Sequence, residues 1–156
     1  MSLEGTGQVS PLKRDRVLMD TGILIRYLRG TRAAIQLFKR LYSRDIELAI
    51  SSISAMEIYI GMRDDPDEIR ETEAFLSSFK ILGVDREVAR KAASLVRRYP
   101  HLFGRGIARG AADALILATA WEADCPFYTL NTRHFASEKI PEVGIHAMDQ
   151  NARVWA

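Results

Sequence analysis

Three acidic side chains in this 156-residue sequence stand in apolar surroundings. Asp20 interrupts VLMDTGILI at 17–25, Glu57 lies inside SSISAMEIYIGM at 51–62, and Asp113 lies inside GAADALILATA at 110–120. An unpaired carboxylate among apolar groups is costly, so each calls for an arginine, a helix terminus or a metal. Brought together in a dry cleft the three would repel one another, and a divalent cation would resolve the repulsion. Oxygen ligands with no nearby His or Cys cluster suit Mg²⁺ or Mn²⁺. The chemistry that follows is phosphodiester hydrolysis, in which a metal activates water and neutralises charge on the phosphate.

Each acid also has a structural explanation. Asp20 directly follows the apolar run 16–19 and precedes a helix, so it is a preferred N-cap residue. Glu57 has Ile53, Ser54, Ile60 and Gly61 at spacings of three and four, which puts it on an inward stripe and leaves Tyr59 and Arg63 as solvent positions. A buried ion pair explains that placement as well as a metal does. Asp113 falls in the first turn of an Ala-rich helix, where the macrodipole stabilises an acid by ~0.3–1 kcal/mol.

The elements that must position these groups alternate between strand and helix patterns. Strands are predicted at 16–19, 47–51, 80–84 and 127–130, with a possible fifth in GIHAM at 144–148. Helices are predicted from about 22 to 30, from a Thr31 cap to about 43, from Ser52 or Ser54 to about 62, from Pro66 to about 79, from an Asp85 cap to just before Pro100, and from 111 to 123. PHLFGRGIARG, 100–110, reads as a loop or broken turn. Strands alternating with helices of this length imply a parallel sheet covered on both faces, a three-layer α/β/α sandwich with four or five strands. Open parallel sheets bind ligands beyond the carboxyl ends of their strands, where Asp20 stands.

Composition sets the remaining bounds. A hydrophobic share of 47% and a charged share of 27% exclude disordered and fibrous classes. Residues 1–14 read as a mobile tail, with Met1 to Leu3 having the character of an expression remnant, and 15–156 as one domain. No run approaches the ~18 apolar residues of a membrane span and the N-terminus lacks a signal-peptide centre, so a cytoplasmic location is expected. The lone Cys125 agrees with a reducing compartment, and His101 and His146 form no zinc spacing with it. A net charge of +2 leaves any basic footprint local. GxSxG, P-loop and GxGxxG motifs are absent, which removes the commonest hydrolase, NTPase and dinucleotide readings.

MDTGILI, SSISAMEIYIGM, GAADALILATA and YTLNTRHF, in this order, resemble the blocks of the PIN domain and more closely of VapC-like toxin ribonucleases, over roughly residues 16–147. The resemblance implies an Mg²⁺- or Mn²⁺-dependent endoribonuclease that leaves 5′-phosphate and 3′-hydroxyl ends. It also implies a homodimer and inhibition by a small antitoxin. It carries the catalytic and metal-binding roles onto Asp20, Glu57 and Asp113. The chain departs from the pattern at Gly22, where Asn is common, and at Asn131, where another Asp often stands. Asn131 can serve only as a neutral auxiliary ligand, which leaves open one-metal binding or substrate-assisted two-metal binding. The same departure motivates a rival expectation, a catalytically weak or silent scaffold that binds RNA or a protein. A structure-specific DNA nuclease would share the site chemistry.

Secondary candidates surround these residues. Thr21 and Thr129 could place hydroxyls near the waters of a bound metal, though Thr is also an ordinary strand-end residue. His134, with an unperturbed pKa of ~6.5, could shuttle a proton or simply pack before Phe135. Arg105, Arg109 and Arg133 could contact RNA phosphates, and Arg26, Arg29 and Arg32 could extend that rim, or all could be ordinary solvated cations.

Overall fold

The computed structural model describes residues 15–104, 110–130 and 140–147; the tail assigned to 1–14 lies outside them. The first half of the chain forms β1 (Arg16–Met19), α1 (Thr21–Leu28), α2 (Arg32–Ser43), β2 (Glu47–Ser51), α3 (Ser52–Gly61) and α4 (Pro66–Leu76). The second half forms β3 (Lys80–Leu82), α5 (Arg86–Arg98), α6 (Pro100–Phe103), α7 (Ala111–Ala123), β4 (Phe127–Thr129) and β5 (Ile145–Ala147). The fifth strand is present, and all neighbours pair in parallel in the order β3-β2-β1-β4-β5.

Strand alternation sorts the apolar residues between two faces. Val17 and Met19 of β1, with Leu48 and Ile50 of β2, pack among Ile23, Leu24, Leu37, Phe38, Ile58 and Leu76 from the α1–α4 side. The intervening Leu18 and Ala49 pack among Val88, Leu95, Phe103, Ile116, Leu117 and Phe127 on the α5–α7 side. Each fully buried Leu, Ile or Phe of this kind contributes ~1.5–3 kcal/mol through lost apolar exposure. The first layer is stiffened by aromatic contacts: Phe38 meets Tyr27 at 4.4 Å and Phe79 at 5.9 Å between ring centroids.

Asp85 caps α5 as expected, its side chain accepting the Val88 N–H at 2.9 Å, and Asp65 caps α4 through the Asp67 N–H at 3.0 Å. Three local expectations are corrected. Thr31 occupies the N-cap of α2 but makes no side-chain capping bond. PHLF forms a helical turn with Pro100 in its first turn, where the missing N–H costs nothing. Finally, β3 stops at Leu82 and leaves Gly83 and Val84 outside the sheet.

The start of α7 is fixed by a close approach. Gly110 has φ +79°, and a Cβ there would lie 2.2 Å from the Phe103 carbonyl oxygen, so only glycine lets α6 and α7 meet this closely. That junction sets where the first turn of α7, and Asp113 in it, begins. Among the described residues no helix is long and apolar enough to cross a membrane.

Candidate active site

The carboxyl end of β1 delivers Asp20 to the rim of the sheet. Its backbone is extended (φ −72°, ψ 153°), and its N–H still pairs with the Tyr128 carbonyl of β4 at 2.8 Å, so the residue is part strand and part helix cap. One carboxylate oxygen accepts the Thr21 N–H at 2.8 Å, and the other accepts the Thr129 hydroxyl at 2.7 Å. Alternation along β4 explains the second bond, because Phe127 and Thr129 share the face that Leu18 and Asp20 share on β1. Asp20 is 9% exposed and Thr129 is fully buried. Burial pushes the Asp20 carboxyl above the usual range, the two hydrogen bonds pull it back, and the charge of Asp113 pushes it up again.

Glu57 arrives from the other side, on α3. The buried positions of that helix are Ser54, Ala55 and Ile58, whereas Ile60 is 74% exposed and Met56 48%. The expectation that Glu57 shares an inward stripe with Ile60 is therefore corrected. Glu57 sits half-buried at the border between the inward group and the exposed Ile60. A helix apolar on nearly every side gives no periodic signal to separate the two, which is why spacing misassigned Ile60. Tyr59 does face solvent as expected, donating to Glu73 at 2.9 Å. Burial raises the Glu57 carboxyl, followed by the charges of Asp113 and Asp20, while a long contact from the Thr21 hydroxyl at 3.5 Å opposes the rise.

Asp113 occupies the first turn of α7, partly buried. Its charge acts on both Asp20 and Glu57, and Asp20 acts on Glu57, so the three acids from β1, α3 and α7 share one electrostatic neighbourhood. Among the described residues neither Asp20 nor Glu57 pairs with an Arg or Lys, whereas Glu47 pairs with Arg16 at 3.0 Å and Glu142 with Arg98 at 2.8 Å. The three do not stand close enough, among the described residues, to make a ready-built cage of acidic or imidazole ligands. Mg²⁺ commonly takes only one or two carboxylates, with waters completing its shell. The donor set is hard oxygen throughout: carboxylates, with threonine and serine hydroxyls behind them. It could hold a hard dication and would suit a thiophilic metal poorly.

Asn131, His134, Arg105, Arg109 and Arg133 lie outside the described residues. Thr21 and Thr129 both bond to Asp20, through a backbone N–H and a hydroxyl respectively. One residue of this group escaped sequence reading: Ser54, fully buried, whose Oγ lies 2.8 Å from Thr21 Oγ1. Its signal was its position three residues before Glu57 on one helix. Cys125 is buried and its thiol is pushed up to about 11 by desolvation, which fits an inert core residue.

The PIN domain model matches residues 17–138, most of the chain and all three acids. The chain belongs to the PIN domain family. Within it, this PIN domain is 38% identical over 119 residues to "Ribonuclease VapC10" of Mycobacterium tuberculosis, covering 76% of the chain and 85% of that protein. It is 37% identical over 120 residues to "Ribonuclease VapC19" of the same organism, covering 76% and 90%. Among solved structures, a toxin-antitoxin complex from Klebsiella pneumoniae contains a chain similar to this PIN domain at 32% identity and a TM-score of 0.65, over 81% of this chain and 94% of that one. The VapC-like resemblance and the parallel three-layer architecture thus agree with the relatives.

Proposed function

We propose that this PIN domain is an Mg²⁺- or Mn²⁺-dependent endoribonuclease, the toxin of a toxin-antitoxin pair. The observation that supports this most is the mutual repulsion of Asp20, Glu57 and Asp113 at the carboxyl end of the sheet, in a chain 38% identical to a protein named a ribonuclease. Asp20, Glu57 and Asp113 would hold the cation, with Asn131 as an auxiliary neutral ligand. When bound, the cation supplies an activated water and offsets charge on the scissile phosphate.

The chain's own residues do the rest. Thr21 and Thr129 fix both Asp20 oxygens in direction while leaving each a second lone pair free, since a carboxylate oxygen accepts more than one bond. Burial first, and the neighbouring acids second, raise the proton affinity of Asp20 and Glu57, and a bound cation would favour their ionised forms, so metal and protons compete for the same atoms. Arg105, Arg109 and Arg133 are proposed as RNA phosphate contacts and His134 as a proton shuttle. The small antitoxin as a partner is supported by the Klebsiella complex and the VapC relatives, and a homodimer is proposed with it.

The test is RNA cleavage by purified protein with Mn²⁺ and with EDTA, alongside Asp20→Asn and Asp113→Asn and a matched DNA substrate. Cleavage of RNA only, lost with EDTA and in both variants, is the expected outcome. Full activity in both variants refutes the site; RNA bound but left intact favours the silent-scaffold alternative, for which Asn131 is the specific motive. Light scattering should give twice the chain mass of 17.6 kDa.

A further inference from the structure

We propose that Ser54 is a positioning residue of the acidic site: its buried hydroxyl locks Thr21 so that the Thr21 proton is directed at Glu57. The inference rests on the catalytic reading above and deepens it.

Thr21 is the joint between two of the acids. Its N–H donates to Asp20 Oδ1 at 2.8 Å, and its hydroxyl lies 3.5 Å from Glu57 Oε1. A contact that long holds nothing in place by itself. The second hydroxyl contact, to Ser54 Oγ at 2.8 Å, is the short one. Ser54 has no solvent exposure. In a helix, a serine hydroxyl commonly turns back to a carbonyl of the preceding turn; here it reaches across to α1 instead. Ser51, three residues earlier, spends its hydroxyl on the Ile53 N–H at 3.0 Å.

Proton counting gives the network a direction. Thr21 Oγ1 carries one proton and has two oxygen neighbours. The ionised carboxylate of Glu57 can only accept, so any bond to it must use the Thr21 proton. Ser54 must then donate to Thr21. Were Ser54 to accept instead, Thr21 would present a lone pair to Glu57 and add to the repulsion already there. The chain Ser54 to Thr21 to Glu57 therefore has one favourable polarity. It ties α3 to α1 just where Thr21 also holds Asp20.

The experiment compares Ser54→Ala and Ser54→Cys with wild type by electron paramagnetic resonance titration of Mn²⁺ into dialysed protein without RNA, and by kcat and KM on RNA, with Tm as a folding control. Cysteine fills the serine volume but is a weak donor. The expected result is Mn²⁺ affinity and kcat lower by about three- to tenfold in both variants, the worth of one hydrogen bond, with KM unchanged. In a Thr21→Val background, Ser54→Ala should add no more than about a twofold further loss, because the relay is already broken. Wild-type affinity and kcat in Ser54→Cys, or an additive double variant, overturns the proposal. Asp20→Asn run in parallel separates the two claims: full cleavage by it overturns the catalytic reading and the relay together, whereas an inactive Asp20→Asn beside an unaffected Ser54→Cys overturns the relay alone.

Discussion

Asp20 and Glu57 carry the same charge, feel the same third acid and are pushed in the same direction, yet they are held by opposite means. Asp20 is gripped at both oxygens and through its backbone N–H, at the end of the central strand. Glu57 stands half-buried on a helix whose outer face exposes Met56 and Ile60, with one long contact to its carboxylate among the described residues. The difference teaches where rigidity comes from in this site. A carboxylate placed by a sheet inherits the register of the sheet, whereas one placed by a helix border depends on the few side chains that pin it.

The largest effects should come from removing each charge. Asp20→Asn and Glu57→Gln are each expected to lower Mn²⁺-dependent RNA cleavage by about 10²–10³-fold, the scale of losing one preorganised electrostatic contact. Their stabilities should diverge. Asp20 is the more deeply buried acid, so neutralising it relieves more desolvation and should raise Tm by a few degrees, while Glu57→Gln should leave Tm nearly unchanged; equal shifts in thermal melts would erase the contrast.

Next in size are the hydroxyls. Thr129→Val strips a buried carboxylate of a 2.7 Å donor and should cost about 1–3 kcal/mol in urea unfolding. A cost near zero would mean that the Thr21 N–H and the backbone pairing suffice to hold Asp20.

The smallest effect is a pH slope. Asp20 and Glu57 both bind protons more tightly folded than unfolded, so the folded state carries more protons between the ordinary values, 3.8 and 4.5, and the raised ones. Metal-free stability from these groups is therefore full below the ordinary values and is lost as pH rises through the raised ones. Wild type minus Asp20→Asn in denaturant melts should show this loss, and Mn²⁺ should suppress it. A difference that grows with pH instead would mean a cationic partner has been missed.

Much of this was legible in the chain itself. Short apolar runs of four or five residues could only be strands once helices stood between them, so the parallel sheet followed from length and order, although the edge strand β3 is exposed at Lys80 and Ile81. Asp20 was legible because a strand end and a cap coincided there. Glu57 was found for a partly mistaken reason: α3 is apolar around most of its circumference, and burial there is decided by what α1 and the sheet leave uncovered. Spacing put Ser54 on the stripe beside Glu57, but a serine on a helix carries no mark of whether its hydroxyl faces a backbone carbonyl or another hydroxyl. The close contact at Gly110 is equally invisible, since it depends on a carbonyl seven positions earlier folding back upon it.

The bond from Thr129 to Asp20 joins residues 109 positions apart, across the pairing of the first strand with the fourth. During synthesis, β1 and its neighbouring helices leave the ribosome long before that partner strand exists. A protein proposed to cut RNA is thereby made beside abundant RNA with its acidic centre unfinished until the last fifth of the polypeptide has been added.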